Sequence, residues 1–494
     1  QSPSSMSAAA ADASSDEARL ERVRRQLSDA GQLHLLDGWP SLSGEQRVRL
    51  LRQLERIDWP GLSAAVRAVM SGQPPRLGEG YAPPPASVRA GPGGPRDSEL
   101  RAAGLAAVAE GRVGLVLVAG GQATRLGATG PKGAYNVGLP SGKSLFQLHA
   151  EKALRVEAMA GGGPGRIAWY VMTSDSTGPA TEALFRGAGC FGLRPDCVRF
   201  FEQGSVPCVD TDGRALMAGP DAVQTSPDGN GGLYRALRES GALADMRRRG
   251  IACLQVFGVD NILTRVADPL FIGHCLLERV SMAAKVVERT RPEERVGVVA
   301  ADTASGGYRV VEYSEMRPED AAAREPDGQR LLMRAANICQ HYFTLESLES
   351  VCQPENEVRL LPYHAAKKKV PYWDANAGQM VHSPPTENAI KFEKFVFDVF
   401  PAAGSSFALW EAARSEEFSP LKNAPGSSSD CPETCRRDVL ELHTKWLLTA
   451  TSASSLGGSR RYAEVSPLLS YAGEGLEGVD LSGNPPEGLL FVDE

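Results

Sequence analysis

The chain has 494 residues, 42% of them apolar and 23% charged. This is ordinary globular usage, and it excludes a wholly disordered chain, a collagen and a coiled coil. Lys and Arg total 53 against 60 Asp and Glu, a formal net charge of −7. The chain therefore lacks the basic charge that non-specific nucleic-acid binding needs. No apolar run reaches the ~18–20 residues of a membrane-spanning helix. At roughly 150 residues per domain, about three domains are expected. Glycine is frequent, at 52 residues, and the places where it falls organise the rest of the reading.

Residues 1–16 are rich in Ser and Ala, with no basic region ahead of an apolar core. No secretory signal is expected there. A chain that starts at Gln1 reads as trimmed or partial, and the cytoplasm is the expected location. Residues 17–71 show helical periodicity: Leu20, Val23 and Leu27, then Val48, Leu51, Leu54 and Ile57. Ser41-Leu-Ser-Gly-Glu and Asp58-Trp-Pro mark helix boundaries. Residues 72–98 form a Pro/Gly-rich linker or extended strap.

From 99 to about 425 strands and helices alternate. The runs Val113–Val118, Ile167–Met172, Cys253–Val259, Ala284–Val287 and Tyr308–Tyr313 predict strands. Leu145–Ala160, Leu233–Arg249 and Pro269–Arg279 predict helices. Such alternation implies a largely parallel sheet covered by helices. Residues 426–436 are polar and expected to be mobile, and the tail carries one helix, Val439–Thr449, then short strand-and-turn segments. The expected division is a helical N-terminal region with linker (1–98), an α/β catalytic domain (99–425) and a C-terminal domain (426–494). The nine Cys are scattered, and an odd count in a long chain argues against a secreted disulfide scaffold. Cys431 and Cys435 form one isolated pair, which is weak evidence for zinc.

The main chemical signal is Val116-Leu-Val-Ala-Gly-Gly-Gln-Ala-Thr-Arg-Leu-Gly127, followed by Pro131-Lys-Gly133. A buried strand runs straight into a glycine pair, and open α/β sheets bind ligands at the carboxyl ends of their strands. Gly120 and Gly121 let a nucleotide approach the backbone closely. Arg125 offers a planar fork for phosphate and Lys132 a mobile point charge. The loop is not the G-x-G-x-x-G of a dinucleotide fold. Gly138-Leu-Pro-Ser-Gly-Lys-Ser144 is one residue short of a Walker A loop, and an ordinary turn before a helix is expected there. A glycine pair after a strand is also a common tight turn; the Arg and Lys that follow favour the phosphate reading.

Three further segments carry loop chemistry. Gln203 ends the Phe200-Phe-Glu run with an amide able to read a base edge. Ser226-Pro-Asp-Gly-Asn-Gly-Gly232 precedes a helix, where Gly229 and Asn230 either fit a ring tightly or make a plain turn. Asp260 ends the Cys253–Val259 strand, as a helix cap or as a Mg²⁺ ligand. Magnesium typically takes one or two carboxylates and completes its shell with substrate phosphates.

Taken together, these residues resemble the eukaryotic UDP-N-acetylhexosamine pyrophosphorylases, which are UDPGP-type nucleotidyltransferases. The likeness runs through Gly120–Gly127, Pro131–Gly133, Trp169–Ser174, Ser226–Tyr234, Val259–Pro269, Lys285–Glu288, Val310–Glu315, Ile390–Phe400, Phe418–Ala424 and Ser466–Glu477. The resemblance implies a Rossmann-like (GT-A-like) mixed sheet in an α/β domain, with a helical N-terminal region and a small β-rich C-terminal domain. It implies an enzyme that makes UDP-N-acetylglucosamine, or also UDP-N-acetylgalactosamine, with pyrophosphate, from UTP and N-acetylhexosamine-1-phosphate. It implies Mg²⁺ or Mn²⁺ at Asp260. Gly120 and Gly121 would border the uridine, Gln203 and Gly229 would read uracil, and Asn230 would sit between nucleotide and sugar. Glu312 and Asn337 would hydrogen-bond the N-acetylhexosamine, and Arg125, Lys132, Lys391 and Lys422 would meet the phosphates. Small-molecule substrates, no nucleic acid, no membrane, and a monomer or homodimer are the expected partners and state.

Four alanines depart from the family pattern. Ala123, Ala336 and Ala389 stand where glycine is usual, and Ala134 where methionine is. At a backbone with φ > 0, Ala would cost on the order of 1 kcal/mol or more. Two alternatives follow: another UDP-sugar pyrophosphorylase, such as one for UDP-glucose, or a catalytically weak UDP-sugar binder.

Overall fold

A computed structural model describes residues 17–70, 80–456, 460–481 and 485–493. The Ser/Ala-rich start and the Pro74-Pro75 end of the expected strap lie outside the described residues. The chain forms two compact units. The larger is built from 77–203, 233–360 and 397–494; the smaller combines the chain up to residue 76 with 204–232 and 361–396.

The larger unit is organised by a mixed sheet. Its main strands are β1 (Arg89–Ala90), β2 (Val113–Val118), β3 (Ala168–Thr173), β4 (Val198–Glu202), β5 (Cys253–Gly258), β6 (Met282–Glu288), β7 (Ala335–Thr344) and β8 (Phe407–Ala412). They lie in the order β1-β8-β6-β7-β5-β2-β3-β4. Strand β7 runs antiparallel to both neighbours, β5 and β6, while the other pairs on this path are parallel. The expected largely parallel sheet is thus interrupted by one reversed strand. Strands β2 and β3 read as unbroken apolar runs because both faces are covered. The described part of the strap is extended: Tyr81–Ala82 pairs with Val298–Asp302, and β1 adds to the edge at β8.

The helices differ from expectation at two places. The Leu233–Arg249 pattern is two helices, Leu233–Glu239 and Ala242–Arg248, because Gly241 between them takes a left-handed conformation at φ 73°. The C-terminal helix begins at Pro432, well before Val439. Pro432 occupies the first turn, where its missing N–H costs nothing, and Pro432 and Cys435 are buried. The polar stretch expected to be mobile is therefore helical from 432 onward. A small core of Leu447, Leu456, Ala463, Val465, Leu476 and Leu489 packs under the hairpin Arg460–Val465/Leu489–Asp493. No helix among the described residues is long and apolar enough to cross a membrane.

In the smaller unit, helices over 17–29, Gly44–Arg56 and Trp59–Met70 present Val23, Leu27, Leu50, Leu54, Trp59 and Leu62. These pack with Val206, Val209, Val223, Ile390 and Phe392 from segments far along the chain. Ser43 caps the second helix in a capping box with Gln46.

Candidate active site

In the larger unit the glycine loop leaves β2 and folds back on itself. Ala123 N donates to Gly130 O at 3.0 Å and Lys132 N to Gly121 O at 3.0 Å. Gly127 and Gly130 supply the left-handed turns, at φ 72° and 103°. Gly120 lies against Gln203, and a Cβ there would stand 2.5 Å from Gln203 Oε1. Gly121 faces open space. Ser174 Oγ donates to Gly120 O at 2.9 Å, tying the loop to the end of β3. The structure therefore brings Gly120, Gly121 and Gln203 together, while Arg125 is exposed on the turn Thr124–Leu126.

Lys132 Nζ stands 3.7 Å from Asp260 Oδ2, with both side chains partly open to solvent. Asp260 is not a helix cap. Its carbonyl accepts from Leu421 N at 2.8 Å. The next residue, Asn261, is 3% exposed. Its Nδ2 donates to Glu417 O at 2.7 Å and its Oδ1 accepts from Ser419 N at 2.9 Å. This buried amide joins the Asp260 loop to the segment that carries Lys422. Behind it, Lys285 is fully buried and paired with Asp268 and Glu417. Burial alone would raise Asp268, but Lys285 and Arg265 outweigh it and hold its carboxyl below the usual range.

Glu312 and Asn337 meet at Gly297. Asn337 N donates to Gly297 O at 2.9 Å, and a Cβ on Gly297 would stand 2.5 Å from Glu312 Oε1. The Cys339 thiol, pushed up to about 12 chiefly by burial, feels Asp260, Lys422 and Glu312. Asp260, a single carboxylate with an accessible edge, suits a Mg²⁺ or Mn²⁺ ion that takes its other ligands from phosphate and water.

In the smaller unit Gly229 sits at φ 84° and packs on the strand Ala389–Glu393 and its continuation. A Cβ there would stand 2.4 Å from Lys394 O. Asn230 Oδ1 accepts from Val396 N at 2.9 Å. Lys391 is half-buried on that strand, opposite Ala366. The Gly229–Gly232 loop thus serves close backbone packing here, a role that sequence reasoning did not assign to it.

The chain matches the family model of UTP–glucose-1-phosphate uridylyltransferase over residues 99–446. The chain belongs to this UDPGP family. It is 44% identical to the human UDP-N-acetylhexosamine pyrophosphorylase-like protein 1, over 96% of this chain and 97% of that protein. It is 41% identical to the UDP-N-acetylglucosamine pyrophosphorylase of Saccharomyces cerevisiae, over 92% of this chain and 96% of that protein. The crystal structure of the uridine diphosphate N-acetylglucosamine pyrophosphorylase from Trypanosoma brucei with an inhibitor superposes with a TM-score of 0.79. Identity is 30%, over 93% of this chain and 94% of that one.

Against the UDPGP family pattern, the four alanines are conformationally harmless. Ala123 has φ −87°, and none of Ala123, Ala134, Ala336 and Ala389 has a positive φ. The short Gly142-Lys-Ser144 turn is structural: Ser144 caps the next helix and Lys143 Nζ pairs with Glu151 at 2.6 Å. Sequence reasoning missed Asn261 and Gly297. Asn261 had a signal, since it sits inside the Val259–Pro269 match beside Asp260. Gly297 had none, because its importance depends on a carboxylate that folds over it.

Proposed function

We propose that this chain is a uridylyltransferase that makes UDP-N-acetylglucosamine and pyrophosphate from UTP and N-acetylglucosamine-1-phosphate. The observation that carries this reading is the Lys132–Asp260 pair at 3.7 Å, set beside a glycine loop open at Gly121. The names of the relatives agree with it. An oxygen of the sugar phosphate attacks the α-phosphorus of UTP, the bond to the bridging oxygen of the β-phosphate breaks, and pyrophosphate leaves. The attacking phosphate is already ionised, so no general base is required. The protein's part is positioning and charge neutralisation. A divalent cation, when bound at Asp260, would supply further neutralisation of the phosphates.

Gly120 and Gln203 would hold the uracil edge, Lys132, Lys422 and Arg125 the phosphates, and Glu312 and Asn337 the sugar. Roles for Gly229, Asn230 and Lys391 rest on the family resemblance. The buried histidines fit a reaction that needs no imidazole: burial holds His149 and His341 down at about 3, so both are neutral. The negative φ of Ala123 removes the conformational motive for a catalytically weak binder.

The family model's own description favours a second reading, with glucose-1-phosphate as substrate. One experiment separates them: pyrophosphate release with UTP, Mg²⁺ and a panel of N-acetylglucosamine-, N-acetylgalactosamine- and glucose-1-phosphate. The proposal expects the highest kcat/KM with an N-acetylhexosamine. Preference for glucose-1-phosphate, or no release from well-folded protein, would sink it.

A further inference from the structure

Strand β7 is irregular where it carries Asn337. Against β6, Ala284 faces His341 and Val286 faces Asn337, so between these pairs one residue of β6, Lys285, stands opposite three of β7. Cys339, inside this bulge, has φ 54°. In a regular strand, residues four apart are separated by about 13 Å. Here the bulge brings His341 Nε2 to 3.0 Å from Asn337 Oδ1.

The donor and acceptor roles follow from a neighbouring bond. The backbone N of Cys339 donates to the same atom, at 3.3 Å. An N–H can meet only the oxygen end of an amide, so that end is Oδ1. His341 must then donate from Nε2, which leaves Nδ1 as an unprotonated acceptor; Nδ1 is buried without a partner. The ring is fully buried and held edge-on against Phe400, 5.0 Å between centroids. Two donors therefore occupy Asn337 Oδ1, and Nδ2 takes no partner among the described residues.

We propose that His341 is a positioning residue that locks the Asn337 amide with its Nδ2 donor turned toward the sugar, to meet the carbonyl oxygen of the acetamido arm. This rests on the function proposed above. A carbonyl oxygen can only accept, whereas a hydroxyl can donate or accept. A carbonyl oxygen therefore depends on the amide being held donor-outward, whereas a hydroxyl can pair with either end of an amide free to turn over.

The test compares N-acetylglucosamine-1-phosphate with glucose-1-phosphate in wild type, His341→Leu, His341→Gln and Asn337→Asp, with melting temperatures for each. Asp at 337 still accepts from Cys339 N and His341 but presents an acceptor to the sugar. It is the variant that keeps the fold if His341→Leu does not. His341→Leu should lose at least ~10-fold in kcat/KM for the acetamido substrate and under about 3-fold for glucose-1-phosphate. Most of that loss should fall in KM for the sugar, with KM for UTP unchanged. His341→Gln, which can donate from a similar place, should recover most of it. Asn337→Asp should lose at least ~10-fold on the acetamido substrate and clearly less on glucose-1-phosphate.

Parallel losses on both sugars, or an Asn337→Asp enzyme with wild-type kinetics, would overturn the proposal. So would a wild-type enzyme indifferent to the acetamido arm. Wild-type protein without turnover on any sugar phosphate would instead defeat the functional reading. Calorimetric binding of UDP-N-acetylglucosamine and UDP-glucose by the same variants would then decide the role of His341 separately.

Discussion

Lys132 and Asp260 face each other across 3.7 Å, on loops that leave the carboxyl ends of two paired parallel strands, β2 and β5. Their pairing is a poor reason for folding, because a partly exposed ion pair contributes about 1 kcal/mol or less. It is a good reason for activity, because both charges remain reachable by a phosphate. Asp260→Asn and Lys132→Ala are each expected to lower kcat/KM by roughly 100-fold or more, with little change in thermal midpoint. Pyrophosphate-release kinetics and a melting curve on the same preparations check both halves. Asp260→Asn should in addition raise the metal concentration needed for half-maximal rate.

Gly297 makes a sharper case about the sugar. A methyl group there would stand 2.5 Å from Glu312 Oε1 and 2.7 Å from Val310 Cγ1. Gly297→Ala should push the Glu312 carboxylate from its place while Asn337 keeps its bond to the Gly297 carbonyl. The expected outcome is a rise of about 10-fold or more in KM for the sugar phosphate, with KM for UTP unchanged. Equal changes for both substrates would point to a general disturbance of the sheet instead.

Asn261 links the Asp260 loop to the Lys422 segment through two buried hydrogen bonds. Asn261→Leu would leave the Glu417 carbonyl and the Ser419 N–H without partners. At about 1–3 kcal/mol for each buried polar group, a loss of roughly 2–6 kcal/mol is expected. Chemical denaturation measures this directly. Activity should fall by more than the folded fraction, since Asp260 and Lys422 both depend on the joint.

Acid should destabilise the fold before carboxylates become protonated. His149, His341 and His443 are held down at about 3, chiefly by burial. An unfolded histidine titrates near 6.5. Between these values the unfolded chain binds protons that the folded chain refuses, so stability falls as pH drops from 6.5 toward 3. Each histidine contributes up to about 1.4 kcal/mol per pH unit. Denaturation midpoints at pH 7, 6 and 5 should decline accordingly, and His443→Phe should flatten the decline. A pH-independent midpoint over this range would contradict the burial of these rings.

Much of the larger unit was legible in the sequence. Strands β2 and β5, the glycine loop and Asp260 are local patterns: an apolar run long enough for one strand, then residues whose conformational freedom or charge shows which end binds. Local rules write such features, so the residue string contains them. Five things were decided only by the tertiary structure. The reversal of β7 depends on its neighbours. The break at Gly241 sits inside a convincing helical pattern. The smaller unit is assembled from three distant segments, whose apolar residues become one core only when Val23 and Leu54 meet Ile390 and Phe392. The clamp at Asn261 depends on backbone groups brought near by folding, and the bond between the His341 and Asn337 side chains depends on the bulge in β7. Local periodicity and charge thus determined the kind of fold and the glycine loop with Lys132 and Asp260. Long-range packing, which satisfies buried polar groups one by one, decided how the surroundings of Glu312 and Asn337 are built.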